Sequence, residues 1–355
     1  MRTAEVTKQG TNEALATAAR TYLTRRRAVV VIAALGGTLA CASVAALALG
    51  SESIPLKEIF AGLWAKLVGA SSPLSGEQAV IIFSLRLPRI ALALGVGAAL
   101  AIAGAAFQAL LRNPLADPYI LGVSSGAALG SIIGVMLAGQ VLIARPLLGF
   151  AGAAAATLLV YRLGRREDDP ARLLLAGVVV TTFLSSVIVL LTAVADNVKL
   201  RNITLWLLGD LSSGSTEGLA FIGVAVAVGA GVLVLQARAL NLMMIGERDA
   251  FALGVETARV RWIVFFTASL LTGAAVSGGG AIGYIGLVVP HLVRLAAGGD
   301  NRLVIPASAL AGALLVLIAD TTARTILAPR ELPTGAITAL IGAPVFVYLL
   351  VKGRR

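Results

Sequence analysis

Residues 28–50, directly after Arg25-Arg26-Arg27, carry no charge, and nine more apolar runs follow at about 90–111, 119–139, 146–163, 172–194, 219–236, 260–277, 281–297, 303–319 and 335–351. This repetition leaves few folds open. A bilayer offers no water to peptide groups, so a crossing segment must satisfy its backbone internally, and runs of this length do so as helices. The expected fold is all-α, a polytopic membrane protein with about ten transmembrane helices. Composition agrees, with 58% hydrophobic residues, 13% charged and a mean hydropathy of +0.93. A signal peptide is the rival for the first run, because Ala46-Leu47-Ala48 imitates a cleavage site. The run is too long for that, and more spans follow it. The chain thus divides into a tail, 1–27, and a transmembrane domain, 28–355. Between the first two spans, residues 51–85 place Ile54, Ile59, Leu63 and Leu67 at the spacing of a helix lying on the membrane surface.

Basic residues set the orientation. With the N-terminus inside, 20 of the 29 lysines and arginines fall in cytoplasmic segments, and Arg86, Arg89 and Arg324 are among those left outside. Cytoplasmic loops retain positive charge, so both termini are expected in the cytoplasm. The net charge of +11 would point to nucleic acid in a soluble chain. Here it reflects basic loops on one membrane face, with the lipid bilayer rather than nucleic acid as partner. Cys41 is the single cysteine, which excludes an intrachain disulfide, and one histidine besides excludes the usual zinc sites.

Chemistry is sparse. The 18 carboxylates fall in loops or at helix ends, whereas an ion-coupled carrier commonly keeps an acid within a span. No GxxxxGK[ST] motif occurs, so an energised transporter needs a separate ATPase. Gly122-Val-Ser124-Ser-Gly126 fits the nucleophile motif G-x-S-x-G, and His291 could serve as base of an intramembrane serine protease. Its glycines have another explanation. Gly122, Gly126, Gly130 and Gly134 recur every four residues, a face on which a neighbouring helix backbone can lie. Gly278, Gly280 and Gly283 fit GxGxxG, but a dinucleotide site needs a βαβ unit around it; a glycine-broken helix fits better. Arg86 with Gly104 and Pro114 is echoed by Arg261 with Gly280 and Pro290, two spans that would run in opposite directions as in inverted repeats. Asp320 and Arg324 stand four apart, the spacing of a local helical ion pair.

Residues 237–261 interrupt the apolar pattern with Arg238, Glu247, Arg248, Asp249, Glu256, Arg259 and Arg261. The stretch is too polar to cross a bilayer and too rich in Met, Leu and Phe for a solvated tether. A short helix is expected at 248–253, with Ala250 and Leu253 on one face and Gly254 as its terminator. It reads as a cytoplasmic docking element for a soluble partner, the plainer alternative being an ordinary positive loop.

These stretches together resemble the iron-chelate and cobalamin permease family, often called FecCD, the membrane subunits of type II ATP-binding-cassette importers. The matching residues are Arg86-Leu-Pro-Arg89, Gly104, Gln108, Arg112-Asn-Pro-Leu-Ala-Asp-Pro118 and Leu121-Gly-Val-Ser-Ser-Gly-Ala127. Further on come Leu173-Leu-Leu-Ala-Gly177, Trp206, Gly209, Gly246-Glu247, Leu253-Gly-Val255 and Gly283-Tyr-Ile-Gly-Leu-Val-Val-Pro-His291. Asp300-Asn-Arg302, Ala319-Asp320 with Arg324, and Glu331-Leu-Pro-Thr-Gly335 complete the ordered set. The resemblance implies a transport subunit in the bacterial inner membrane that is not itself an enzyme. It would form a homodimer around one pathway, with two ATPase subunits inside and a substrate-binding protein outside. ATP and Mg would sit on the ATPase, and this chain would bind no cofactor or metal. Gly246, Glu247, Ala250, Leu253 and Gly254 would form the coupling element. Arg86, Arg89 and Arg324 would meet acids of the binding protein, and Asn113, Pro114 and Leu115 would lie near the cytoplasmic gate. The cargo expected on this resemblance is an iron-siderophore, with cobalamin or haem behind it. Asp168-Asp169-Pro170 and the long tail depart from the family pattern. The readings of another class are a stand-alone ion-coupled carrier and the protease that needs Ser124.

Overall fold

A computed structural model describes residues 24–50, 52–71, 73–138, 144–164, 170–212 and 216–352. Asp168, Asp169 and most of the 1–27 tail lie outside these residues. Among the described residues every regular element is helical. Seven helices are long and apolar enough to span a membrane: α1 (Arg25–Ala48), α3 (Gly76–Leu110), α5 (Ala144–Gly164), α6 (Pro170–Ala193), α8 (Thr216–Ile245), α10 (Thr257–Gly279) and α12 (Asn301–Thr325). The apolar helices α4 (Val123–Ala138), α11 (Ile285–Ala297) and α13 (Thr334–Lys352) are shorter. These ten correspond to the ten expected runs. Three further helices, α2 (Leu56–Val68), α7 (Asn197–Leu207) and α9 (Glu247–Ala252), lie between them.

The stretch before the second span differs from expectation. A surface helix exists, but it covers only α2, where Ile59, Gly62 and Ala65 are buried and Leu67 is exposed. Ser75 then starts α3 with a capping box: its hydroxyl accepts from the Gln78 N–H, and the Gln78 side chain accepts from the Ser75 N–H. The helix passes Pro88 through a wider π-helical turn, Ile81–Arg86. Pro88 has no N–H to offer the preceding turn, and the extra residue there relieves the clash of its ring with that turn. Residues 76–85 therefore belong to the span and not to the surface.

α3 is the hub. From Val96 to Leu110 every residue is buried, as a helix surrounded by others must be. Its small residues let backbones touch: a Cβ on Gly97 would overlap the Gly312 carbonyl of α12, and one on Gly104 would overlap Gly286 of α11. α10 packs on α3 in the opposite direction, since Phe107 meets Phe265 edge to face at 5.9 Å while Val96 lies beside Gly279. α8 covers a further side of α3, α1 packs outside α12, and α4 and α5 pair against α10. The antiparallel pairing of the Arg86 and Arg261 spans is thus observed.

Two connections enter the bundle without being α-helical. α11 has 13 residues, about 20 Å at 1.5 Å per residue, against a hydrocarbon core of about 30 Å. Residues 280–284 make up part of that depth, entering left-handed at Gly280 (φ 73°) and leaving so at Tyr284 (φ 69°). Irregular backbone is tolerated at such depth only inside protein, and Gly280 lies against the Trp206 carbonyl and Gly209. Residues 111–122 form the second such segment, ended by Gly122 at φ 77°.

The glycine face of α4 meets α5. A Cβ on Gly126 would sit 2.5 Å from the Gly152 carbonyl, and one on Gly130 would overlap the Leu148 carbonyl. Gly134 is buried on the same helix. Gly122 is a correction: it closes the preceding 3-10 turn and does not join the packing face of α4. Replacing Gly130 by Leu should destabilise the fold by about 1–3 kcal/mol or more, as overpacking does. Gly37→Leu, where a Cβ has nothing within 4 Å, should leave the melting temperature in detergent unchanged. Equal melting of the two variants would refute the backbone contact.

Candidate functional site

The two ends of the bundle carry its polar groups. At one end the π-helical turn and the last turns of α12 bring Arg86, Arg89 and Arg324 together. Expected as exposed docking groups, they are buried, and each guanidinium has internal partners. Arg86 donates to the carbonyls of Leu47 (2.6 Å), Ala48 (3.3 Å) and Glu52, closing the C-terminal end of α1. Arg89 donates to Asp320 at 2.9 Å and to Glu331 at 2.7 Å. Arg324 pairs with Asp320 at 3.3 Å, as its spacing predicts, and donates to the Ala46 carbonyl at 3.1 Å. Asp320 is fully buried and also accepts from the Thr334 hydroxyl at 3.0 Å. This acid is no lone proton site: it lies between two arginines. The cluster ties α1, α3, α12 and the start of α13 at one level.

The opposite end holds the docking stretch. α8 does not stop where the hydropathy falls near residue 236 but continues to Ile245. After Gly246, α9 forms over Glu247–Ala252, with Leu253 as its C-cap and the expected terminator Gly254 left-handed just beyond it (φ 85°). Its faces differ from expectation, however. Ala250 is fully buried at the foot of α8, whereas Leu253 is 65% exposed beside Phe251 at 72%. Glu247 forms an ion pair with Arg261, fixing α9 to the start of α10. Ala250 and Glu247 therefore hold the element, and Phe251 and Leu253 form its free surface. Ile245 adds to it at 71% exposure.

Nearby, α3 ends in a turn with Arg112 left-handed (φ 50°). Asn113 accepts the Leu115 N–H at 2.9 Å, leaving Pro114 and Leu115 exposed at the bundle's edge. A network that the sequence did not announce ties this end together. Asn241 of α8 donates to Asp300 at 2.7 Å and accepts from the Asn301 backbone at 2.8 Å. Arg294 of α11 donates to Asn301 at 3.1 Å and to the Ala105 carbonyl of α3 at 3.0 Å. Burial opposes the charge on Asp300, yet the Arg302 and Asn241 hydrogen bonds keep its carboxyl below the usual carboxylate range. Asp300-Asn-Arg302 carried half of this signal; Asn241, alone in an apolar run, carried none.

The proposed protease pair is not assembled. Ser124 is buried with its hydroxyl unpartnered, and among the described residues no hydrogen bond joins it to His291.

A sequence model of the FecCD transport family matches residues 25–352. The cobalamin import system permease protein of Halobacterium salinarum is 42% identical over 272 residues, 76% of this chain and 73% of that one. The hemin transport system permease protein of Yersinia pestis is 39% identical over 280 residues, 77% of this chain and 84% of that one. In three dimensions the chain resembles an inward-facing structure described as a metal-chelate type ABC transporter. That likeness has a TM-score of 0.78 and 32% identity, covering 92% of this chain and 99% of the other.

Removing one partner of a buried charge network leaves the others uncompensated, which costs about 3–5 kcal/mol. Asp320→Ala should therefore lower thermal stability strongly, while the combined replacement of Arg89 and Asp320 by Met and Leu should recover part of it. A melting temperature unaltered by Asp320→Ala would show that the cluster is not structural.

Proposed function

Since the chain belongs to the FecCD transport family, we propose that it is the permease subunit through which an ATP-binding-cassette importer passes a metal chelate across the cytoplasmic membrane. The observation that carries the mechanism is α9. Phe251 and Leu253 project beyond the end of the long helix α8, next to its exposed last residue Ile245, on a segment that also exposes Arg248, Asp249 and Arg259. Large apolar groups in water beside charged ones mark a surface made for another protein. In this reading that protein is the ATPase, one copy for each of two permease subunits, and ATP and Mg stay on it. The orientation follows the basic residues: α9 and both termini face the cytoplasm.

The binding protein docks at the other end, around Arg86, Arg89 and Arg324. Their present partners shape how it does so. Glu331 is the exposed partner, at 51%, so an incoming acid competes with Glu331 for Arg89 while Asp320 keeps its place. Asn113, Pro114 and Leu115 belong to the cytoplasmic gate, at the mouth of the irregular segment 111–122. For the cargo, an iron-siderophore stands as the expectation from the sequence. The likeness to a cobalamin permease favours a corrinoid as the second reading. Both are bulky, preassembled chelates.

Reconstitution in vesicles with the ATPase and the binding protein tests this. Uptake of a radiolabelled chelate should need all three components, and parallel assays with an iron-siderophore, haem and cobalamin identify the cargo. Uptake without the ATPase would replace this reading with the ion-coupled carrier. Phe251→Asp should cut uptake about tenfold or more, as loss of an interface anchor does, with no change in melting temperature. Normal uptake by that variant would remove α9 from the coupling path.

A further inference from the structure

On the outside of the bundle α1 does not close fully on its neighbours. It leaves a groove of about 460 Å³ lined by α1, α11 and α12, with Val31, Leu35, Leu292, Ala296, Leu315 and Ile318 among its walls. Every lining residue is apolar. A soluble ligand has nothing to bond there, and water gains nothing by entering. The rim is different. Arg27, on the same helix as Val31 and Leu35, donates to the carbonyl of Ala296, itself part of the wall, at 3.3 Å. Arg25 and Arg26 stand exposed beside it.

From this juxtaposition we infer that the groove is a binding site for one acyl chain of an anionic phospholipid, whose phosphate lies on Arg25, Arg26 and Arg27. Both halves of the ligand are represented. The apolar trench runs from the α1 start along α12 towards Ile318, the course of an acyl chain entering from the membrane surface. Arg27 sits at the wall where the phosphate of that lipid emerges, and Arg25 and Arg26 are exposed on the same first turn of α1. Basic groups next to an anionic membrane surface are each worth about fivefold in binding, so three of them give a clear preference over zwitterionic lipid. A lipid held here would fill the space between α1 and the α11–α12 pair, fastening α1 to the bundle.

Native mass spectrometry of the full chain taken from mixed vesicles of phosphatidylglycerol and phosphatidylcholine tests the inference. Phosphatidylglycerol should be retained about fivefold or more over phosphatidylcholine. The combined change Arg25→Gln, Arg26→Gln and Arg27→Gln should abolish the preference. Ala34→Phe with Ala311→Phe should fill the groove and remove the retained lipid. A measurement on the unaltered chain guards against misfolding of these variants: phosphatidylglycerol with a photoreactive group in its acyl chain should label Leu35, Leu292 or Leu315. Equal retention of the two lipids, or labelling confined to the outer faces of α6 and α8, would overturn the site. So would cross-linking of two copies through Leu314→Cys in a Cys41→Ser background, because the groove would then be covered by protein. None of these results bears on the assignment as a permease.

Discussion

Direct contact between helix backbones is the constraint on which the rest of the structure depends. In a bilayer, helices gain nothing by hiding apolar side chains from lipid, so association must come from close packing. α3 shows how far this goes. Gly97 admits the Gly312 carbonyl and Gly104 admits Gly286, while α4 and α5 repeat the arrangement through Gly126, Gly130 and Gly152. Because α3 is enclosed on all sides, each element that touches it is positioned relative to every other. The irregular segment at 280–284 and the inner part of 111–122, from Ala116 on, then find enclosed surroundings in which their backbone can leave the α-helical path.

Burial on this scale changes what charged residues can do. Arg86, Arg89 and Arg324 lie at the level where α1 and α12 end, α13 begins and α3 passes through its π-helical turn, and there they satisfy carbonyls and a carboxylate that would otherwise be buried alone. Asp320 needs arginine as much as the arginines need Asp320. Such a cluster contributes little net stability compared with an apolar substitute, but breaking it is costly, which fixes the register of these four helices. On the proposed reading, a docking acid would meet a network already in balance, with Glu331, the half-exposed member, as the one it could replace.

Much of the fold was legible in the chain, for a physical reason: hydropathy reports what a bilayer demands, segment by segment. The ten apolar helices, the α9 terminator at Gly254 and the Gly126–Gly130 face all followed from local pattern. Errors arose where the answer lay in a distant partner. Nothing around Arg89 announces Asp320 or Glu331, more than 200 residues away, and only the Asp320–Arg324 half of that cluster has local spacing. A spacing of three puts Leu253 on the face of Ala250 in a continuing helix, but α9 ends at Ala252, so Leu253 turns outwards. The start of α3 was different: its signal, Ser75 followed by Gln78, stood in plain view, and the amphipathic look of 51–85 obscured it.

The polar network at the α9 end gives the irregular segments their meaning. α9 rests on α8, and Asn241 of α8 holds Asp300 and Asn301 at the start of α12. Asn301 holds Arg294 of α11, and Arg294 holds α3 through Ala105. In the proposed coupling, a displacement of α9 would thus be passed to four helices together, not to one of them. Three of them, α3, α11 and α12, are packed backbone to backbone. The relative movement must be taken up where the helical hydrogen bonding is already interrupted, in 111–122 beside the end of α3 and in 280–284 before α11. Both segments have left-handed residues at their ends, Arg112 and Gly122 in one, Gly280 and Tyr284 in the other. On that reading, the places where the backbone departs from the helix are the places where the bundle would open.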